Sequence, residues 1–173
     1  MTEERMKGKK DIRVREIQEE DRRWVRDLIK KYWMSEVVVS RGRIYHADQL
    51  SGFITTDRGN RVGLITYRIE NDQCEIMTLN ALYERRGIGR ALIDAVRTDT
   101  EKRHCKRIWL VTTNDNVPAR CFYEKCGFTV AAIHHNAMEV SRKLKPEIPL
   151  LGVDDVPIRD EIEFAMQLLQ PGL

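Results

Sequence analysis

Hydrophobic and polar positions along the chain repeat with two different periods, and each period predicts a type of secondary structure. Residues 12–17 alternate between apolar and charged side chains, which predicts a first strand. Residues 19–33 carry apolar side chains at helical spacing with charged residues between them, so they predict an amphipathic helix. Residues 37–50 follow no single period, and we expect an irregular connection there.

Three β-type segments follow this connection and predict an antiparallel meander. They cover residues 53–56, 62–69 and 74–82. The breaks between them, at residues 57–60 and 70–72, both contain Asp and Asn, and the first also contains Gly. These residue types tolerate the backbone angles of tight turns, so we expect each strand to fold back on the one before it.

The rest of the chain alternates between helical and strand-like patterns. One helix is predicted to begin at Ile88 behind a Gly-rich turn, and a second is bounded by Asn116 and Gly127, residue types that favour helix starts and ends. Residues 108–113, 130–133 and 158–166 read as strands. Together the segments predict an α/β fold.

Length and composition point to a globular domain. The chain has 173 residues, of which 42% are hydrophobic and 33% charged, with a formal net charge of +3. This length fits one domain, the apolar content excludes a disordered chain, and the sequence has no apolar run long enough to span a membrane. The nearly balanced charge also argues against a nucleic-acid partner, since the basic run at residues 102–107 follows a helix end, where cations are favoured.

The cysteines and the first residues suggest a cytoplasmic protein. Cys74, Cys105, Cys121 and Cys126 form no CxxC pair, so we expect reduced thiols and no metal site. Residues 1–10 are polar and Lys-rich, without the apolar segment of a signal peptide, and we expect a flexible tail.

The first chemical motif is the run from Arg85 to Arg90, which lies between a strand and a helix. Backbone N–H groups at a helix start bind anions, glycines allow a phosphate to approach the main chain, and arginines add positive charge. The run is not a dinucleotide fingerprint, which needs Gly or Ala where Leu92 stands, and it lacks the Gly-Lys-Ser/Thr ending of a P-loop. We therefore predict a pyrophosphate site of another kind.

The second motif is Asn116-x-x-Ala119-x-x-x-Tyr123, followed by Gly127-Phe128. Together with Glu84-Arg85-Arg86-Gly87-Ile88-Gly89, in this order and spacing, it resembles the GNAT superfamily of acetyl-CoA-dependent N-acyltransferases. The resemblance covers roughly residues 12–133. It implies a single GNAT-like α/β domain over residues 11–173, with a mixed, mainly antiparallel sheet flanked by helices and an insertion at about residues 136–157.

The resemblance also implies how acetyl-CoA is held. The pyrophosphate is expected at the amides of the first helical turn, with positive charge from nearby arginines; the residues involved are Arg85, Arg86, Gly87, Ile88, Gly89 and Arg90. Glu84 departs from the family pattern, which has Gln or Arg there, and this departure puts the affinity in question. The strand segment Met77, Thr78 and Leu79 is expected to splay from its neighbour and bind pantetheine, with Asn116 beside it.

Two residues are expected to move protons. Tyr123 matches the family position that protonates the departing thiolate, and Glu75 lies where many members place the carboxylate that deprotonates the amine. Glu75 could equally be a solvated strand residue. Glu161, Glu163, His134 and His135 are rivals for the base or for substrate recognition. A covalent route through Cys121 or Cys126 is disfavoured because no base is placed beside them by the sequence.

The expected reaction is acetyl transfer to a primary amine by direct attack in a ternary complex. The acceptor, a small molecule or a peptide, is left open, and the alternative is a non-catalytic acyl-CoA-binding or regulatory module. The insertion is either a lid or wall of the acceptor pocket or a solvated basic excursion around Ser141-Arg142-Lys143-Leu144-Lys145. A homodimer is compatible with this assignment.

Overall fold

The computed structural model of the chain describes residues 11–169, so the tail expected at residues 1–10 lies outside the described part. Within that part the strands are β1 Ile12–Glu16, β2 Val37–Ser40, β3 Arg43–His46, β4 Ser51–Asp57, β5 Asn60–Glu70, β6 Gln73–Ala81, β7 Arg107–Thr113, β8 Thr129–His134 and β9 Glu161–Gln167. The α-helices are α1 Arg22–Trp33, α2 Ile88–Lys102, α3 Val117–Lys125 and α4 Ala137–Leu144. No helix in residues 11–169 is both long and apolar enough to cross a membrane.

Seven of the strands form one sheet, in the order β1-β4-β5-β6-β7-β9-β8. All neighbours are antiparallel except β6 and β7, which run parallel. The predicted meander is β4-β5-β6, and its second turn places Asn71 and Asp72 in the left-handed region that Asn and Asp tolerate. The prediction of a mixed, mainly antiparallel sheet flanked by helices is confirmed.

Each face of the sheet carries its own hydrophobic core. On one face, Leu92 and Val96 of α2 are fully buried in a cluster that includes Phe164 of β9. On the other, Val25 and Ile29 of α1 are buried in a cluster with residues of β4, β5 and β6. The periodicity of these two helices therefore reports correctly which side of each helix is buried.

Strands β6 and β7 pair only at their beginnings. Three residues of β6, ending at Glu75, are in register with three of β7, ending at Trp109. Beyond this point β6 carries a bulge. Thr66 pairs with Thr78 and Tyr67 pairs with Ile76, so Met77 has no partner on β5. A bulge bends and twists its strand, and here β6 leaves β7 so that a gap opens in the middle of the sheet.

The expectation of an irregular connection at residues 37–50 is wrong. Strands β2 and β3 form a hairpin closed by Arg41 and Gly42, both with positive φ. Two central residues with positive φ match the right-handed twist of the flanking strands, and Gly42 adopts this angle without steric cost. The hairpin packs over β6 and against α4.

The segment at residues 136–157 contains α4 and is held at its ends. The Asn136 amide N–H donates to the Asp160 carboxylate at 2.9 Å, and the Asn114 side chain donates to the Pro157 carbonyl at 2.9 Å. Asn114 also accepts hydrogen bonds from the amide N–H groups of Arg159 and Asp160. Because these two amides are used in this way, β9 begins at Glu161 and not at residue 158, where the last strand was predicted.

Candidate active site

The start of α2 has the features of an anion site. Gly87 is the N-cap residue, with φ of +75°, and no side chain caps the helix. The first main-chain bond of the helix runs from the Ala91 N–H to the Gly87 carbonyl at 3.0 Å, so the N–H groups before Ala91 have no acceptor within the helix. These amides, at the positive end of the helix dipole, are available to an anionic group.

The three arginines around this turn differ in their contacts. Arg86 is paired with Asp57 at 2.5 Å and lies over the ring of Tyr83. Arg90 donates to the Lys125 carbonyl at the end of α3 at 2.9 Å. Arg85 is exposed and, within the described residues, has no hydrogen-bond or ion-pair partner, so it is the arginine whose charge is free to meet a ligand.

Ile88 and Gly89 fix the helix in place. Ile88 is buried in the core beneath α2. A Cβ atom built on Gly89 would lie 2.9 Å from the ring of Phe122, which is too close for an unshifted side chain. Gly89 therefore allows α2 and α3 to approach each other.

The gap between β6 and β7 is a narrow cleft of about 130 Å³. Met77, Thr78 and Leu79 line its β6 side, and residues of β7 and α3 line the other. The Thr78 hydroxyl is hydrogen-bonded to that of Thr66 at 2.6 Å, which holds this part of β6 against β5. The side of β6 that faces the cleft lacks a paired strand beyond Glu75, so its main-chain groups can pair with an inserted ligand.

Asn116 and Tyr123 are brought to the cleft by α3. The Asn116 side chain accepts a hydrogen bond from the Ala119 N–H at 3.3 Å and so caps the helix, which confirms the predicted N-cap. The Tyr123 ring packs against Phe128 and Phe164. Its hydroxyl has no hydrogen-bond partner in the described part of the chain, and burial raises the pKa of Tyr123 to about 12.

A second cavity, of about 250 Å³, adjoins the cleft on the α1 side of the sheet. This volume lies just below the ~300–1,000 Å³ typical of small-molecule sites. The cavity and the cleft share four lining residues, which are Trp33, Val111, Thr112 and Asn116. The two spaces are therefore neighbours with a common wall.

The segment at residues 136–157 forms one wall of this cavity, through Met138, Ser141, Lys145, Ile148 and Pro149. Ser141 and Lys145 are buried, so the reading of the basic run as wholly solvated is wrong.

Glu161 lies in the lining of the cavity, whereas Glu75 does not. Glu161 is only 4% exposed, and its carboxylate accepts a hydrogen bond from Arg41 at 3.0 Å. Glu75 is also buried, which excludes the reading of it as a solvated strand residue. Ser40 and Arg68 donate to its carboxylate, and burial raises its pKa against the effect of these donors.

The other predicted rivals for a base lie elsewhere. Glu163 binds Arg107 and His134, and these partners hold the pKa of Glu163 below its usual value in spite of burial. His135 is exposed and lies 3.7 Å from Asp160. These residues do not line the cleft or the cavity.

Cys121 of α3 and Cys126, which follows this helix, do not support a covalent route. Cys121 is exposed and Cys126 is buried, with its thiol pKa raised by burial. A raised pKa keeps Cys126 protonated, which makes it a poor nucleophile. Among the described residues, no cluster of His, Cys, Asp and Glu could hold a metal ion.

Lys145 is a residue of the cavity that the sequence reasoning missed. Its ammonium donates to the Trp33 and Val37 carbonyls, at 2.6 and 3.1 Å. A usable signal was present, since Met138, Ser141 and Lys145 are spaced by three and four and so share one face of a helical segment.

Known proteins resemble this chain in both sequence and fold. A sequence model of the Acetyltransferase (GNAT) family matches residues 13–128. The uncharacterized protein YdhI of Bacillus subtilis (strain 168) is 44% identical over 141 residues, covering 80% of this chain and 88% of YdhI.

Among the solved structures that share the fold are two acetyltransferases. The ribosomal-protein-S18-alanine N-acetyltransferase from Escherichia coli superposes with a TM-score of 0.66 at 19% identity, over 93% of this chain and 96% of that one. A Bacillus subtilis acetyltransferase in complex with CoA superposes with a TM-score of 0.64 at 16% identity, over 93% and 100%.

Proposed function

The chain belongs to the GNAT family of acetyltransferases, and from this premise we propose that it transfers an acetyl group from acetyl-CoA to a primary amine by direct attack in a ternary complex. The observation that carries the proposal is the common wall of the cleft and the cavity. A thioester reaching through the cleft would meet an amine held in the cavity beside the same four residues. Such a shared wall supplies the proximity that direct transfer between two bound substrates requires.

The residues present fit acetyl-CoA, which supplies an activated acyl thioester when bound. The uncapped first turn of α2 offers amides and a free arginine to a pyrophosphate. The open side of β6 at Met77, Thr78 and Leu79 offers main-chain groups to a linear amide chain such as pantetheine. The Asn116 side-chain NH₂ group has no partner within residues 11–169, and it supports a polar contact to the same chain.

Proton transfers are proposed for a carboxylate and a tyrosine. The amine must lose a proton before its nitrogen attacks the thioester carbonyl carbon; the C–N bond forms and the C–S bond breaks. Glu161 is the proposed acceptor of that proton, because it lines the cavity, whereas Glu75 does not. Tyr123 is the proposed donor to the departing sulfur, since its hydroxyl is free and its raised pKa keeps it protonated.

The test begins with thermal unfolding in acetyl-CoA and in CoA. A ligand at about 100 times its Kd should stabilise the fold by roughly 2.7 kcal/mol, and the absence of any shift would refute the proposal. An assay of free thiol release with a panel of primary amines then separates the enzyme from the non-catalytic module, which would bind acetyl-CoA without turnover. A cytoplasmic location and a homodimer stay predictions.

A further inference from the structure

Lys145 differs from the other buried charged residues of the described chain. Every buried carboxylate has a cationic partner, as Arg15 for Asp21, Arg26 for Asp48 and Arg41 for Glu161. Lys145 is only 5% exposed, yet its ammonium forms no ion pair with any carboxylate between residues 11 and 169. Its two hydrogen-bond acceptors are the main-chain carbonyls of Trp33 and Val37.

The two carbonyls leave the positive charge of Lys145 incompletely balanced. Trp33 is the last residue of α1, so its carbonyl lies at the negative end of the helix dipole, but this dipole amounts to only about half a charge. An ammonium has three donors, and two are used. Glu147 acts on Lys145 only from beyond ion-pair distance, and burial lowers the pKa of Lys145 in spite of it. A buried charge with no carboxylate at ion-pair distance is costly, and Lys145 lines the cavity. The arrangement suits a ligand that brings an anionic group.

The rest of the cavity restricts what else that ligand can be. Glu161, also in the lining, contacts the Ser141 hydroxyl at 3.4 Å, and the Lys145 N–H donates to the Ser141 carbonyl at 2.8 Å. The second contact is an ordinary main-chain bond of the helical turn, and what joins the two charged residues is that both Glu161 and Lys145 line this cavity. Most of the remaining lining is aromatic or aliphatic, from Tyr32, Trp33, Met34, Val39, Val111, Met138 and Ile148.

We propose that the acceptor is an apolar amino acid with a free carboxylate, which Lys145 binds while the amine lies at Glu161 and the side chain packs on the apolar wall. The inference rests on the proposed function and names its substrate class. It excludes acceptors that lack a carboxylate near the amine, such as the N-terminus of a protein or a polycationic antibiotic. The cavity, at about 250 Å³, has room for a molecule of this size.

The first experiment needs no variant. Acetylation of L-leucine is compared with that of two analogues. Isopentylamine is leucine without its carboxylate, and leucinamide has an uncharged amide in place of the carboxylate. We expect kcat/KM to be about 10- to 100-fold higher for leucine, because the two analogues cannot form the charged hydrogen bond to Lys145. Equal acetylation of leucine and isopentylamine, or turnover confined to peptides or polyamines, would overturn the inference and leave the proposed function standing.

The second experiment tests Lys145 itself, with Lys143→Met as the matched control because Lys143 lies exposed in the last turn of α4, two positions before Lys145. Lys145→Met should abolish the preference for leucine over isopentylamine, and calorimetry with CoA present should show leucine binding weakened at least tenfold. Equal losses for both amines would mean that Lys145 only supports the fold. If Lys145→Met does not fold, the comparison of leucine with isopentylamine on the unaltered protein tests the inference by itself.

The failure of the inference is distinguishable from that of the proposed function. Absence of an acetyl-CoA thermal shift refutes the proposed function and the inference with it. A thermal shift with acetyl-CoA, but no binding of leucine by calorimetry and no preference for carboxylates, refutes the inference alone.

Discussion

The Arg41 guanidinium donates a 3.0 Å hydrogen bond to the Glu161 carboxylate, although 120 positions separate the two residues. Arg41 is at the tip of the β2–β3 hairpin, and Glu161 is the first residue of β9. The hairpin thus holds the carboxylate that faces the cavity. This contact connects the hairpin, whose sequence follows no single period, to the residue proposed as the base.

Paired substitutions of the two buried glutamates should identify the base. Glu161→Gln keeps the shape of the side chain and should lower kcat/KM by about 100-fold, because general bases contribute roughly 10²- to 10⁴-fold. Glu75→Gln should lower kcat/KM less than tenfold, since Glu75 lies outside the cavity lining. Initial rates are measured at saturating acetyl-CoA from about pH 5 to 9, between the usual pKa values of carboxylates and of amines.

The opposite ranking would restore Glu75 as the base. Burial raises the pKa of Glu75, so a base at this position would lose activity as the pH falls through that raised value. The assignment to Glu161 would be contradicted if the fall of the rate at low pH disappeared in Glu75→Gln but persisted in Glu161→Gln.

Tyr123→Phe should lower kcat by about 10²-fold while the affinity for acetyl-CoA changes little. The phenylalanine ring keeps the packing against Phe128 and Phe164, and only the hydroxyl is lost. Since the pKa of Tyr123 is raised to about 12, we expect no loss of the unaltered protein's activity from ionisation of this residue below about pH 11. Turnover is followed by thiol release.

The control for this variant is Tyr83→Phe, because Tyr83 is exposed and lies outside the cleft. Equal turnover in the two variants would remove Tyr123 from the mechanism.

Gly87→Ala should weaken acetyl-CoA binding by about tenfold. The φ of +75° is strained for alanine, at a cost of roughly 1–2 kcal/mol, and a new Cβ would touch no atom within 4 Å. The cost is therefore conformational, and it falls on the turn that presents the α2 amides. Thermal unfolding with and without acetyl-CoA measures both the stability and the binding.

Gly59 provides a matched control for this substitution. It has φ of +81° in the β4–β5 turn and likewise has no atom within 4 Å of a Cβ. Gly59→Ala should destabilise the fold by a similar amount but leave the acetyl-CoA shift unchanged. A weakened shift in both variants would show that the effect is general and not tied to the α2 start.

Asp21→Asn should destabilise the fold by about 2–3 kcal/mol, because it removes the charge shared by Arg15 and Arg61. The hydrogen bond from Arg15, followed by those from Gln18 and Arg61, holds the pKa of Asp21 well below its usual value. Its stabilisation is therefore present above about pH 4, the pKa of an unfolded Asp, and is lost as the pH falls further.

Urea unfolding between about pH 2.5 and 7 measures this effect, with Asp11→Asn as the control, since Asp11 and Arg13 form an exposed pair. The free energy of unfolding of the unaltered protein should fall more steeply below pH 4 than that of Asp21→Asn. Parallel curves would show that Asp21 is not linked to folding.

Local periods predicted most of the sheet and its helices. Helices α1 and α2 each bury one face, and strands β5 and β6 are buried on both faces as continuous apolar runs, so their sequence patterns indicate the core directly. The hairpin β2–β3 was missed because Val37, Val38 and Val39 show no alternation, and Arg41-Gly42 is not among the usual turn pairs.

The cavity could be predicted only in part. Gly87, Asn116 and Tyr123 belong to local motifs, and the structure brings them to the start of α2 and the cleft. The spacing of Met138, Ser141 and Lys145 indicates that they share one face, but the contact of Lys145 with α1 spans 112 positions and is not encoded by that spacing. Its burial follows from the tertiary packing of α4, whereas a basic run suggests exposure.

The gap between β6 and β7 also affects how the sheet should open locally. Only three residue pairs join the half-sheet β1-β4-β5-β6 to the half-sheet β7-β9-β8, which is fewer than at any other seam of this sheet. A ligand inserted along the seam would bond to both halves and make them one cooperative unit. We therefore expect hydrogen exchange of amides on β7 and β9 to slow on acetyl-CoA binding, even at positions that the ligand does not touch.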